Sequence, residues 1–218
     1  MHDKFANMKN WQLFVLLALG NMLIALLFQS LIMTHQTYYN LLSGQLENYR
    51  IERYIEFSDS MSLWGILFIP VIQWIKTLFV TMLLQLPFII KFVDIPFSKL
   101  YRVVLLAGFV LLLSSLYKFL WLYLQPAREI SKEALAFVPL SITAYMNMSD
   151  YNPAVFGFLS LFNLFELAWI ATIYRGIAQI RMMDRTDTIL TVIIVWAGIA
   201  IAQLVLMLYI SKTFGLST

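Results

Sequence analysis

The sequence predicts an all-α integral membrane protein, a bundle of five transmembrane helices. Of the 218 residues, 61% are hydrophobic and only 12% are charged, about half the charged fraction of an ordinary globular chain. The mean hydropathy is +0.79. Five windows contain one charged residue or none, and each supplies the roughly 20 apolar residues that a helix needs to cross a bilayer core about 30 Å thick.

These windows define the predicted spans in chain order. The first and the fifth contain no charge, whereas the second, third and fourth contain only Lys76, Lys118 and Glu166, respectively. The predicted spans are about 11–33, 61–90, 102–124, 153–174 and 188–211. Basic residues precede the first span, but its apolar stretch is long and no small-residue cleavage site follows it. We therefore expect a retained helix and not a cleaved signal peptide.

The second span differs from the others because Pro70 and Pro87 lie inside it. Proline removes a helix hydrogen bond and kinks or breaks a helix. We expect this span to be long, tilted or kinked, and a pair of half-helices is the alternative.

Basic residues set the predicted orientation. With five spans, the N-terminus and the loops 91–102 and 175–187 share one side, which holds eight lysines and arginines, against five on the other side. Because cytoplasmic loops carry an excess of Lys and Arg, the N-terminus is predicted to be cytoplasmic and the C-terminus extracytoplasmic.

Two outer segments are long enough to fold. Residues 34–60 carry Leu42, Leu46 and Tyr49 at helical spacing. This pattern fits either an amphipathic helix on the outer headgroups or an ordinary helix packed on the ends of the bundle. Residues 125–152 are predicted to form a loop with one short helix.

The residues needed for most enzyme chemistry are missing. The chain has no cysteine and only two histidines, His2 and His35, so neither a thiolate nor a histidine metal site is expected. It has no glycine-rich phosphate loop and no dense basic cluster for nucleic acid. We predict no enzyme activity, no cofactor and no nucleic-acid partner.

One part of the chain resembles a known family. The stretches "VDIPFSKLYRVVLLAGFVLL" and "FGFLSLFNLFELAWIATIYRGIAQI" are similar to the core of bacterial Yip-like membrane proteins, over roughly Met61 to Tyr209. The matching positions are Phe97, Lys99, Asn163, Phe165, Trp169 and Gly176. The resemblance implies a five-span protein of the bacterial inner membrane, without a catalytic signature. This chain departs from the pattern at Glu166 and in "AQIRMMDRTD".

Glu166 is the least expected residue of the apolar windows. It lies eight residues before Tyr174, about 12 Å along the helix, where a charge is costly and needs a partner, water or a proton. Lys76 is the candidate partner: the two lie thirteen and fifteen residues from the outer ends of their spans, but eight and fourteen from the inner ends. The other polar candidates are Asn163, Gln73 and Asn21.

Two interpretations of Glu166 follow. The architectural one is a buried ion pair, or a neutral glutamic acid bonded to a polar neighbour, that fixes helix register. The functional one is a proton- or ion-handling site.

Other charges near the membrane have simpler interpretations. Lys118 is expected to snorkel to the outer interface. Three arginines follow the fourth span and are candidates for anchoring to anionic lipid or for docking a cytoplasmic partner. They are Arg175, Arg181 and Arg185.

The sequence favours a non-catalytic scaffold or accessory subunit of a membrane protein complex, whose partners are the lipid bilayer and other membrane proteins. The alternative is a small transporter or permease subunit that uses Glu166 and Lys76. Transporters usually break a helix near the midplane to bind their solute, and Pro70 is the main hint of a break in this sequence.

Overall fold

A computed structural model of the protein describes residues 8–126, 130–180 and 184–213. Within these ranges the fold is helical, and the one extended pairing is an isolated antiparallel bridge between Ser141 and Asn163. The α-helices are α1 (Asn10–Leu27), α2 (His35–Leu42), α3 (Asn48–Ile90), α4 (Phe97–Tyr123), α5 (Lys132–Ala136), α6 (Pro153–Leu159), α7 (Leu164–Ile180) and α8 (Arg185–Thr213). A π-helical turn, Phe28–Ile32, extends α1, and 3-10 turns cover Ile142–Tyr145 and Met148–Asp150.

The all-helical class is confirmed, and the long apolar helices suggest a membrane protein. Among the described residues, four helices are long and apolar enough to cross a membrane: Asn10–Ile32, Asn48–Ile90, Phe97–Tyr123 and Arg185–Ile210. They cover the first, second, third and fifth predicted spans. The fourth predicted span, 153–174, is not one helix, because α6 ends at Leu159 and α7 begins only at Leu164.

The 43 residues of α3 form one continuous helix. At about 1.5 Å per residue it is roughly 64 Å long, about twice the thickness of a bilayer core. Pro70 and Pro87 do not divide it into half-helices, so that alternative is wrong. The predicted outer segment 34–60 is shared between α2 and the first turns of α3.

The chain divides into two compact units, Met1–Ile75 with Leu112–Phe137, and Lys76–Leu111 with Val138–Thr218. In the first unit, α2 packs on the first turns of α3 through Tyr38, Ile51 and Ile55. The Tyr38 hydroxyl lies 2.7 Å from Ser58 Oγ. These contacts make residues 34–60 a helical hairpin.

A second cluster of the first unit joins α4 to the segment around α5. Trp121 stacks on Phe137 with ring centroids 4.2 Å apart. Lys118 Nζ donates to the carbonyl oxygen of Leu135 at 2.7 Å. The Lys118 side chain therefore reaches the segment that follows α4, where its ammonium binds a backbone carbonyl.

The second unit has its own core, built by α3, α4, α7 and α8. Its fully or largely buried members include Leu84, Phe88, Leu100, Val104, Ala107, Trp169, Ile173, Ile177 and Val192. An ion pair of 2.7 Å between Lys91 and Asp187 joins the end of α3 to the start of α8. This pair fixes a common level from which positions along both helices can be counted.

Candidate functional site

The helices α6 and α7, which precede and follow the break, both pack on α8. Gly157 of α6 faces Met207 of α8, where a Cβ would lie 3.0 Å from the sulfur atom. Glu166 of α7 bonds to Trp196 of α8. Gly157 and Glu166 are nine residues apart, and the residues that they contact on α8, Met207 and Trp196, are eleven residues apart in the reverse order. This is expected if α6 and α7 are nearly collinear and both run antiparallel to α8.

The break is produced by polar side chains that bond to the nearby backbone. Ser160 Oγ donates to the Gly157 carbonyl at 2.6 Å at the end of α6. Asn163 Oδ1 accepts a hydrogen bond of 2.9 Å from the Glu166 amide and so caps the start of α7. Asparagine is among the strongest N-cap residues because its side chain replaces a missing helix bond. This local competition overrides the apolar pattern that predicted one span.

A neighbouring segment satisfies the backbone groups that the break leaves free. The Ile142 amide donates to the Phe162 carbonyl at 3.1 Å, and the Leu164 amide donates to the Leu140 carbonyl at 3.2 Å. Ser141, between these two bonds, is 3% exposed. The break is thus a stable part of the second unit, because hydrogen bonds from residues 140–142 satisfy its backbone.

Glu166 lies in the first turn of α7, three residues after its cap. A carboxylate is favoured there because the helix N-terminus carries a partial positive charge. Trp196 Nε1 donates to Glu166 Oε2 at 3.2 Å. Trp196 is the twelfth of the 26 residues in the apolar stretch Arg185–Ile210, so Glu166 lies at the level of its middle.

A cavity of about 60 Å³ lies beside Glu166. Its polar lining comes from three helices. These residues are Lys76 of α3, Glu166 of α7, and Trp196 and Gln203 of α8. The remaining lining residues are apolar, among them Val80, Leu161 and Ile199. A small, partly open polar cavity therefore lies against the apolar core of the second unit.

Lys76 and Glu166 face this cavity without a direct ion pair. An ion pair within 4.0 Å is seen between Lys91 and Asp187, but none joins Lys76 to Glu166 in the described part of the chain. Counted from the Lys91–Asp187 level, Lys76 is fifteen residues along α3 and Trp196 nine along α8, about 22 and 14 Å. The backbone positions of Lys76 and Trp196, the residue that bonds to Glu166, are therefore offset by roughly 9 Å along the helix axes, in line with the count from the inner ends.

The other sequence-predicted residues are distributed as follows. Asn163 joins the site as the helix cap. Asn21 donates from Nδ2 to the Leu17 carbonyl of its own helix at 2.9 Å; like Gln73, it belongs to the first unit. Arg175 and Arg185 are exposed, and Arg181 is outside the described residues. In the described part of the chain, no group of three His, Cys, Asp or Glu could hold a metal ion.

Two residues of the site were not predicted from the sequence. Trp196 supplies the hydrogen bond to Glu166, and Gln203 adds an amide to the cavity wall. They lie seven residues apart on α8, which is two helical turns, so both project from one face. This spacing of two polar side chains on one helix face is the sequence feature from which the two residues could have been identified.

Replacing Asn163 by alanine is expected to destabilise the protein by about 1 kcal/mol, the usual cost of losing a helix cap. Aspartate at this position keeps an oxygen that can accept from the Glu166 amide, so Asn163→Asp is the control with the smaller loss. Unfolding in detergent, followed by helical circular dichroism, measures both variants. Equal stability of the alanine variant and the wild type would show that the cap does not hold the break.

Comparisons with known proteins give this chain no relative. No family model matches it, and neither a curated protein nor a solved structure does. The resemblance to bacterial Yip-like proteins remains a prediction from the residues named above. The case for a function therefore depends on the geometry of the second unit.

Proposed function

We propose that this protein is a small transport subunit of the bacterial inner membrane, in which an ion or a small solute crosses at the break between α6 and α7. The observation that carries the proposal is the position of the break beside Glu166, at the level of the middle of α8. Discontinuous helices that meet a polar site near the midplane are typical of secondary transporters. Irregular backbone at such depth persists only where it is buried in protein or lines a cavity.

The proposal includes a fifth pass through the membrane, made by α6 and α7 together. Both segments run along α8 on either side of the break. Residues 153–180 are about as numerous as the 29 residues of α8, so together they match its length. With five passes, the excess of basic residues on one side favours a cytoplasmic N-terminus and an extracytoplasmic C-terminus.

Reporter fusions test this topology. A reporter fused after Thr218 is expected to be extracytoplasmic, and one inserted at Asp184 is expected to be cytoplasmic. A periplasm-active phosphatase and a cytoplasm-active fluorescent protein, each fused at both positions, give opposite readings and control for expression. A cytoplasmic Thr218 would mean that α6 and α7 enter and leave on the same side.

The transport proposal is tested with purified protein in liposomes. Gradients of H⁺, Na⁺, K⁺ and Cl⁻ are imposed in separate experiments and followed with fluorescent indicators inside the vesicles. We expect at least one gradient to dissipate several-fold faster than in protein-free liposomes, and Glu166→Gln to remove that increase. Glu133→Gln, at an exposed position of α5, is the matched control. If all four gradients decay at the protein-free rate, the proposal is wrong.

A second candidate is the scaffold or accessory subunit that the sequence favoured. The length of α3 supports it, because a helix of roughly 64 Å extends well beyond a bilayer core. Its first turns expose Arg50, Glu52, Arg53 and Glu56, and mixed charges of this kind suit an extramembrane protein partner. The Yip-like resemblance supports the same candidate. Purification in mild detergent should then yield stoichiometric partners, which are lost when these four charges are reversed.

A further inference from the structure

We propose that the ion handled at this site is the proton, with Glu166 as its carrier and Lys76 as a fixed counter-charge. This inference rests on the proposed transport function and deepens it by naming the ion and the roles of the two charged residues. It is carried by four observations: the size of the cavity, its set of ligands, the free oxygen of Glu166, and the presence of Lys76 at the same cavity without an ion pair to Glu166.

The cavity is too small for an organic solute. Its volume is about 60 Å³, whereas a water molecule occupies about 30 Å³ in the liquid. Sites for drug-sized ligands measure about 300–1,000 Å³. The space beside Glu166 thus suits about two water molecules, which is enough to connect a carboxyl group to solvent by hydrogen bonds.

The lining also disfavours a metal cation and an anion. Hard cations take about six or more oxygen ligands, but among the side chains that line the cavity only the Glu166 carboxylate and the Gln203 amide carry oxygen. The Lys76 ammonium would repel a cation, and the carboxylate would repel an anion. A proton needs only one acceptor and no coordination shell.

Glu166 has an oxygen available for that proton. Its Oε2 accepts from Trp196 Nε1 at 3.2 Å, while no donor in the described part of the chain bonds to Oε1. The Trp196 bond orients the carboxyl group without occupying both oxygens. Protonation then forms an O–H bond at Oε1 with a proton from water on one side, and release breaks that bond toward water on the other.

Lys76 is placed to balance the charge of Glu166 without trapping it. The titratable groups that line the cavity are Glu166 on α7 and Lys76 on α3, and the residues contributed by α4 and α8 are not titratable. A direct ion pair would hold the carboxylate permanently ionised. A lysine that lines the same cavity without forming such a pair instead lowers the cost of the ionised state and leaves room for the proton to bind.

The experiment uses the full chain in liposomes under a potassium diffusion potential set by valinomycin, with a trapped pH indicator. We expect proton entry several-fold faster than in protein-free vesicles, loss of that increase in Glu166→Gln, and partial retention in Glu166→Asp. Lys76→Met should slow proton entry, and Lys76→Arg should preserve it. Glu133→Gln is the control with unchanged flux.

Infrared difference spectra between acidic and alkaline samples provide a readout that does not depend on flux. The carboxylic acid C=O region should contain a titrating component in the wild type that is missing in Glu166→Gln, while the bands of the other carboxyl groups persist, provided that both proteins elute as folded species. Proton entry in Glu166→Gln at the wild-type rate would overturn the inference. If Glu166 were required for dissipation of a Na⁺, K⁺ or Cl⁻ gradient while no proton flux occurred, the proton inference would be wrong but the transport function would stand. If no gradient responds to the protein, both proposals fail.

Discussion

Replacing Gly176 by leucine is expected to lower the free energy of unfolding by about 3 kcal/mol or more, toward the upper end of the costs seen when a packed core is overfilled. A Cβ at this position would lie 2.6 and 2.7 Å from the two Cγ atoms of Val103. Valine is stiff about χ1 in a helix, so its methyl groups cannot rotate away. The main chains of α7 and α4 must then separate.

Two other glycines show why Gly176 is the sensitive position. At Gly65 an added Cβ would meet no atom within 4 Å, so Gly65→Leu is the matched control with little change. At Gly20 the nearest atom is the end of the Leu112 side chain, 2.8 Å away, which can move. All three glycines lie in apolar helices, and what distinguishes them is the set of atoms that an added Cβ would meet.

A compensating change makes the Gly176 prediction specific. Gly176→Ala should cost about 1–3 kcal/mol, and adding Val103→Ala should recover part of that loss by removing the two methyl groups that clash. Stability is measured by titration with a denaturing detergent. Because Glu166 lies on the same helix as Gly176, we also expect the leucine variant to lose the Trp196–Glu166 hydrogen bond, which tryptophan fluorescence reports. A stable leucine variant would contradict the close packing of α7 on α4.

The class and four spans could be predicted because hydropathy is summed over about 20 residues, and the sum is large in each window. Summed hydropathy did not reveal the break at 160–163, because Leu161 and Phe162 are apolar. Its local signal was the pair Asn163 and Glu166, spaced as an N-cap residue and the acidic residue of the first turn. That pattern was outweighed by the surrounding apolar run, whereas in the structure the backbone of 140–142 completes the break.

The site was only partly predictable for a different reason. Glu166 and Lys76 stand out because each is the lone charge of its window. Trp196 and Gln203 do not, because their role depends on how α8 is aligned with α7, and this alignment is a contact between distant parts of the chain. The sequence did not define how deep Lys76 lies in its span. The reason is that α3 begins at Asn48, before the predicted start of the span at residue 61, so that start gave no fixed level from which to count.

Glu166 and Lys76 are expected to be coupled by about 2 kcal/mol, the Coulomb energy at an effective dielectric constant of 20 when the axial offset of roughly 9 Å is taken as the separation of the charges. A direct pair at 4 Å would be coupled by about 4 kcal/mol on the same scale. The cycle compares Glu166→Gln, Lys76→Met and the double variant in a denaturing-detergent titration. Glutamine keeps an oxygen for the Trp196 donor, so the charge changes while that hydrogen bond can persist.

The sign and size of the coupling decide between the interpretations of Glu166. Each single variant should be destabilised, and the double variant should be less destabilised than the sum, because the second change removes a charge that has already lost its counterpart. Glu166→Gln combined with Lys99→Met, at an exposed lysine in the first turn of α4, is the additive control. Coupling near zero would mean that Glu166 is neutral in the folded protein. Coupling near 4 kcal/mol would mean a closed ion pair, which holds the carboxylate ionised and leaves the site architectural, with no group free to carry a proton.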